Sequence, residues 1–139
     1  MAGTKQFSIR VATTVFDDLE RRAREVAESR NALAERYLAE GVRIDEHPDI
    51  AFRDGPVGRR AIVAGTRLAV SQVMETVRAH DNSVDDAADY LSLPVPKVRA
   101  ALRYYAAHRE EVDDMAQRES SAADRAEAAW RAEQELLAE

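Results

Sequence analysis

Apolar and polar residues alternate at the front of the chain. Residues 6–11 read Gln-Phe-Ser-Ile-Arg-Val, with Phe7, Ile9 and Val11 on one side and Gln6, Ser8 and Arg10 on the other. A two-residue period predicts a half-buried strand. The period then becomes helical. Val15, Phe16, Leu19, Ala23, Val26 and Ala27 form one stripe, with Thr13 or Thr14 as N-cap and Asp17, Asp18 and Glu20 near the positive helix end. Ser29-Arg30-Asn31 interrupts the stripe and caps a second helix, carried by Leu33, Tyr37, Leu38 and Val42 and expected to fray near Gly41.

The stretch from His47-Pro48 to Asp54-Gly55-Pro56-Val57-Gly58 holds most of the chain's breakers and predicts a boundary. Beyond it, Ala61-Ile62-Val63 and Arg67-Leu68-Ala69 flank Ala64-Gly65-Thr66, which reads as a short hairpin over residues 60–70. Three helices follow: residues 71–79, residues 84–90 behind an N-cap at Ser83, and a third from Pro94 or Pro96 to about residue 108. Residues 113–139 form one more helical stretch without breakers. The expected architecture is mainly α: a strand-helix-helix segment over 1–46, a hairpin with three helices over 47–112, and a C-terminal helix over 113–139.

Charge changes this picture by where it sits. The net charge of −6 speaks against a nucleic-acid binder until it is divided. Residues 1–44 carry 8 basic and 7 acidic side chains, residues 45–112 carry 9 and 11, and residues 113–139 carry 3 and 8. The acid is concentrated in the tail, and local charge sets a phosphate contact. With 139 residues and no cysteine, the chain has no disulfide framework. No apolar run approaches 18 residues and the first ten residues lack a secretory apolar region, so a cytoplasmic protein that avoids membranes is expected.

A lone strand leaves both edges unpaired. Pairing with the same strand of a second copy makes a two-stranded antiparallel ribbon over four helices. Phe7, Ile9 and Val11 would face those helices, and Gln6, Ser8 and Arg10 would point at base edges in the major groove. Gln matches adenine and Arg matches guanine by bidentate geometry. The helix start at residues 29–31 would offer N–H groups to a phosphate. In this pattern the segment from Lys5 to about Ile44 resembles the ribbon-helix-helix fold of many antitoxins and repressors. The alternative is a strand-helix-helix piece packed on the rest of the protein with those polar residues merely solvated.

A second nucleic-acid signal lies in residues 83–105. Ala87 and Ala88 are small enough for close packing, Leu91-Ser92-Leu93 is a turn, and Val98, Leu102 and Tyr105 share an inward face. Lys97, Arg99 and Arg103 then fall outward, where a helix-turn-helix reaches a groove. The wider stretch, with its Gly65-Thr66-Arg67 turn and its Leu102-Arg103-Tyr104-Tyr105 ending, resembles the antitoxin family known as domain of unknown function 433. One departure is Asp81-Asn82 before Ser83, where the family usually has glycine; Asn tolerates the same left-handed turn. The resemblance implies a small helix-turn-helix protein encoded beside a PIN-like ribonuclease toxin. It leaves open whether this domain grips DNA, the toxin or its own copy.

In the tail, Ala123, Ala126, Trp130 and Leu137 share one side of an alanine-rich helix that is marginal alone. The single Trp is a plausible interface anchor. Similarity to VapB-type antitoxins implies that the tail wraps a toxin and that a basic residue approaches its acidic metal site. Arg118, Arg125 and Arg131 are the candidates; the alternative is a tail packed on its own dimer. His47, His80 and His108 show no metal-ligand spacing, and residues 54–58 lack the Lys-Ser/Thr of a phosphate loop. No catalytic residue, metal or cofactor is therefore expected, and the protein is read as a non-enzyme. The expectation is a homodimeric or larger antitoxin that binds operator DNA and a toxin. The alternatives are a stand-alone DNA-binding regulator and a toxin-binding adaptor that does not touch DNA.

Overall fold

A computed structural model describes residues 3–139. The chain is mainly α, with one antiparallel hairpin. It divides into two compact units, the first ending at Val42 and the second spanning Arg43–Glu139.

The first unit begins with residues 3–12, which are exposed and carry no strand. The expected strand at 6–11 is thus absent from the single chain. A strand is defined by its ladder, and among the described residues no segment pairs with this one. Helix α1 spans Thr13–Glu25 and α2 spans Arg30–Glu46. The threonine cap expected for α1 is not formed. Ala12 occupies that position without a side-chain bond, and no acidic residue sits in the first turn. The cap at α2 is formed: Ser29 Oγ accepts the Ala32 N–H at 3.1 Å. Between the helices Ala27 is left-handed (φ 56°), and Glu28 N–H returns to the Ala23 carbonyl at 3.0 Å, closing the end of α1. α2 runs straight through Gly41 rather than fraying there. A single internal glycine costs only about 1 kcal/mol against alanine, which neighbouring turns absorb.

This unit has almost no interior. Ala23 and Leu33 are its only buried side chains among the described residues, while Phe7, Ile9, Val11, Val15, Phe16, Tyr37, Leu38 and Val42 are exposed. Folding that buries so little apolar surface cannot offset the conformational entropy of ordering two helices.

The second unit holds the core. Strands β1 (Ile50–Gly55) and β2 (Gly58–Val63) pair antiparallel, from Ile50 opposite Val63 to Gly55 opposite Gly58. The hairpin therefore lies earlier than expected. The breakers at 55–58 are its turn, not a linker, and Gly58 takes a positive φ of 132° that favours glycine. The expected second arm, Arg67-Leu68-Ala69, contributes only an isolated bridge between Ile62 and Ala69. The Gly65-Thr66-Arg67 turn is held locally. Gly65 has φ 80°, Thr66 Oγ1 donates to the Val63 carbonyl at 2.8 Å and accepts the Leu68 N–H at 3.0 Å.

Helices α3 (Val70–Ala79), α4 (Val84–Leu91), α5 (Val95–Ala107) and α6 (Arg109–Leu137) follow. Gln72 turns back so that its Oε1 accepts the Ala69 N–H at 2.8 Å, closing the start of α3. Ser83 caps α4 by accepting the Asp86 N–H at 3.1 Å, with Asp85 and Asp86 in the first turn as expected. Pro94 and Pro96 open α5. The core gathers Ile50, Val63, Val70, Val73, Val77, Ala87, Ala88, Val98, Ala101, Tyr104, Tyr105 and Val112.

The α5–α6 joint is a polar knot. His108 ends α5 and begins α6. Its ring lies 4.7 Å from Tyr104 and 5.6 Å from His47, which itself meets Tyr104 edge-on at 5.1 Å. Glu111 of α6 accepts from both the Tyr104 hydroxyl and the Arg43 guanidinium. Burial holds the His108 pKa below its ordinary value, reinforced by Arg43 and His47 and opposed by Glu46, and its Nε2 is buried without a partner. The folded state therefore binds this proton less readily than the unfolded chain. Its contribution to stability is present above the unfolded value of about 6.5 and is lost as pH falls below it. The thermal midpoint is expected to drop between pH 7.5 and pH 5.5, and to drop less in His108→Gln. An unchanged slope in that variant would place the titration elsewhere.

Candidate DNA- and partner-binding surfaces

Gln6, Ser8 and Arg10 lie in the exposed segment that precedes α1. The residues alternating with them are exposed as well, Phe7 at 68% and Ile9 at 61%. Behind them, Ile9, Val15, Leu19, Ala34, Tyr37 and Leu38 line an open groove of about 440 Å³, edged by Asp18, Arg21 and Arg22. Arg21 pairs with Asp18 and Arg22 with Glu25, each at 3.1 Å, both within α1. At the start of α2, Arg30 stacks 4.9 Å from the Phe16 ring and pairs with Glu20 at 3.1 Å. The first unit thus presents a continuous apolar surface, with the alternating segment at its edge.

The α4–α5 surface, expected from the sequence to act as a helix-turn-helix, is less basic than its sequence suggested. α4 and α5 are joined by a tight turn in which Ser92 is left-handed (φ 56°) and Leu93 N–H bonds the Ala88 carbonyl at 3.0 Å. Val98, Ala101, Tyr104 and Tyr105 of α5 face inward, leaving Arg99 and Arg103 together on its outer side. Lys97 is not free beside them: its Nζ is bound to Asp49 at 2.8 Å. Helix α4 has no basic residue and exposes Asp85, Asp86 and Asp89. In a helix-turn-helix the first helix crosses the phosphate backbone, and three carboxylates there oppose that contact. The exposed Tyr90 on α4 stacks on His80 at 5.1 Å.

Helix α6 is docked at one end and bare at the other. Val112 is buried, Met115 and Ala116 are half-buried, and Arg60 of β2 clamps Glu119 through contacts of 3.1 and 3.3 Å. Tyr105 adds a bond of 2.8 Å to Asp113, while its ring takes the guanidinium groups of Arg78 and Arg109 at 5.4 and 5.2 Å. From Ala123 onward every residue is exposed, including Trp130 at 60% and Leu137 at 74%. Of the three candidate arginines, Arg118 pairs with Asp114 at 3.1 Å and Arg131 with Glu127 at 2.5 Å, both within the helix. Exposed pairs of this spacing are weak and do not immobilise either side chain. Helical periodicity puts none of the three on the stripe: Arg131 lies about 100° round the helix from Trp130, and Arg118 and Arg125 lie farther round still.

Local periodicity missed Glu111, Glu119 and Asp113, because their partners lie on other elements. It did carry a signal for Leu136, which neighbours Leu137 at the end of the stripe. Among the described residues no group of three or more His, Asp and Glu is arranged to hold a metal ion, although His47 and His108 approach each other. No helix of the described residues is long and apolar enough to cross a membrane.

No curated protein and no solved structure matches the chain. Its similarity to known families lies within the second unit, where residues 50–105, from β1 into the last turns of α5, match the family described as "Protein of unknown function (DUF433)".

Proposed function

We propose that this protein is an antitoxin: a DNA-binding regulator that pairs through its first unit, reads its own operator there, and neutralises a ribonuclease partner through α6. The observation that carries the reading is the first unit's missing interior. It orders two helices around only two buried side chains and exposes eight large apolar ones. A second copy supplies what is absent. Pairing residues 6–11 antiparallel would satisfy their backbone groups, turn Phe7, Ile9 and Val11 onto the helices, and leave Gln6, Ser8 and Arg10 facing a groove.

The acidic α4 and the engaged Lys97 favour the first unit over the second as the reader. Arg99 and Arg103 remain a secondary surface. A toxin-binding adaptor without DNA contact is the competing reading, supported by the same acidic α4 and the overall charge of −6. The resemblance to antitoxins supplies the expected partner, a PIN-like ribonuclease, and a cytoplasmic location follows from that pairing.

Gel-shift with the DNA upstream of the gene decides between these readings. Arg10→Ala should weaken binding by ~1–3 kcal/mol and relax base preference if its contact is bidentate. The double variant Arg99→Ala with Arg103→Ala should bind nearly as the native chain does. The reverse pattern would move the reader to the second unit, and no shift at all would leave the adaptor.

Self-association gives an independent check. Ile9→Asp puts a carboxylate into the proposed pairing face, and sedimentation should show dissociation to monomer with loss of the shift. A variant that stays dimeric would show that the first unit is not the pairing surface.

A further inference from the structure

Helix α6 carries one face through two environments. Over its first turns that face packs on the second unit through Val112, Met115 and Glu119. A helix brings round the same face about every seven residues. Past Ala122 the face continues as Ala126, Ala129, Trp130, Glu133, Leu136 and Leu137, all exposed. Glu133 lies in the middle of it, with Ala129 and Trp130 one turn before and Leu136 and Leu137 one turn after.

Glu119 and Glu133 are two heptads apart, at equivalent positions on the face, roughly 21 Å along the axis. The first is met across its interface by Arg60. The second meets no cation among the described residues and sits where any groove receiving Trp130 would bury it. A carboxylate buried without a cation is strongly unfavourable.

We propose that α6 beyond Ala122 docks into a partner protein whose groove has an apolar floor and one arginine or lysine that pairs with Glu133, as Arg60 pairs with Glu119. The inference rests on the antitoxin reading in that the partner is the toxin. Charge complementarity selects this occupant. Residues 123–139 carry five acidic and two basic side chains, so a basic-rimmed groove, of the kind that holds RNA in a nuclease, attracts them. A second copy of the tail carries the same negative excess, and its apolar face holds no cation for Glu133. The partner's cation thus meets a glutamate of α6, whereas the resemblance to VapB-type proteins implied an arginine of α6 meeting the partner's acids.

The test uses the full chain and the product of the adjacent gene, with affinity measured by calorimetry. Glu133→Gln should weaken the complex roughly thirtyfold or more. Glu133→Leu should be weakened at least as much, because leucine leaves the partner's cation unpaired. Glu135→Gln, on the opposite side of the helix, should bind as the native chain does. Undiminished affinity in Glu133→Leu would overturn the cation, and a neutral Trp130→Ala would overturn the docking face. If Trp130→Ala instead lowers the oligomeric state of the chain alone, a second copy is the occupant and the proposal fails. A native chain that binds no such product would sink the antitoxin reading itself; native binding with neutral tail variants would sink only this inference.

Discussion

The second unit is organised by what happens to one hydroxyl. Tyr104 is fully buried, its ring packed among His47, Phe52 and His108. A buried hydroxyl without a partner is costly, and Glu111 supplies the acceptor from the first turn of α6. That same carboxylate takes Arg43. One side chain therefore ties the end of α2, the last turn of α5 and the start of α6 together. The hairpin is drawn in from the other side, since Arg60 of β2 holds Glu119 two turns further along α6. The first half of α6 is thus held by polar contacts around a single buried valine, Val112. Once those contacts end, the helix has nothing further to pack against.

Burial is divided unequally between the two units. Among the described residues, all but two of the buried apolar side chains belong to the second. The first unit has the helices, the cap at Ser29 and an apolar face, yet it lacks the opposing layer that a face requires. An apolar surface that large on a stable chain marks an interaction site. The unpaired residues 6–11 make the same demand through backbone hydrogen bonding. Two independent physical requirements therefore support the proposed pairing with another copy of the same segment.

Features set within one turn of chain were legible in the sequence. Ser29 and Ser83 act as caps, Pro94 and Pro96 open α5, and the inward stripe of α5 is as its spacing implied. The hairpin was misplaced because Gly55, Pro56 and Gly58 carry the same composition whether they end a domain or turn a ribbon. Only the pairing of Ile50 with Val63 and Phe52 with Ala61 distinguishes the two. The alternation at 6–11 is readable as a strand pattern, but among the described residues no segment pairs with it. Candidate site residues divided in the same way. The exposure of Arg99 and Arg103 follows from periodicity, whereas Gln6, Ser8 and Arg10 share their exposure with the apolar residues between them, so the alternation at 6–11 selects no face within the chain. The capture of Lys97 by Asp49 joins residues far apart in sequence and leaves no local trace.

The acid of the chain acquires a meaning from its placement. An even excess would repel DNA everywhere. Here the first unit is nearly neutral, the carboxylates of α4 stand where a helix-turn-helix would meet phosphate, and the largest excess lies on α6. Electrostatics of this kind bias encounter more than they add to affinity, since exposed charges are screened within about 10 Å at 0.1 M salt. Discrimination must then come from groups that lose their water on contact. In the proposed function Gln6 and Arg10 would do so against base edges, and Trp130 and Glu133 against a protein groove. An operator complex would then be limited by base contacts and the tail complex by one desolvated carboxylate, so raising salt should slow both associations while leaving their specificities largely intact.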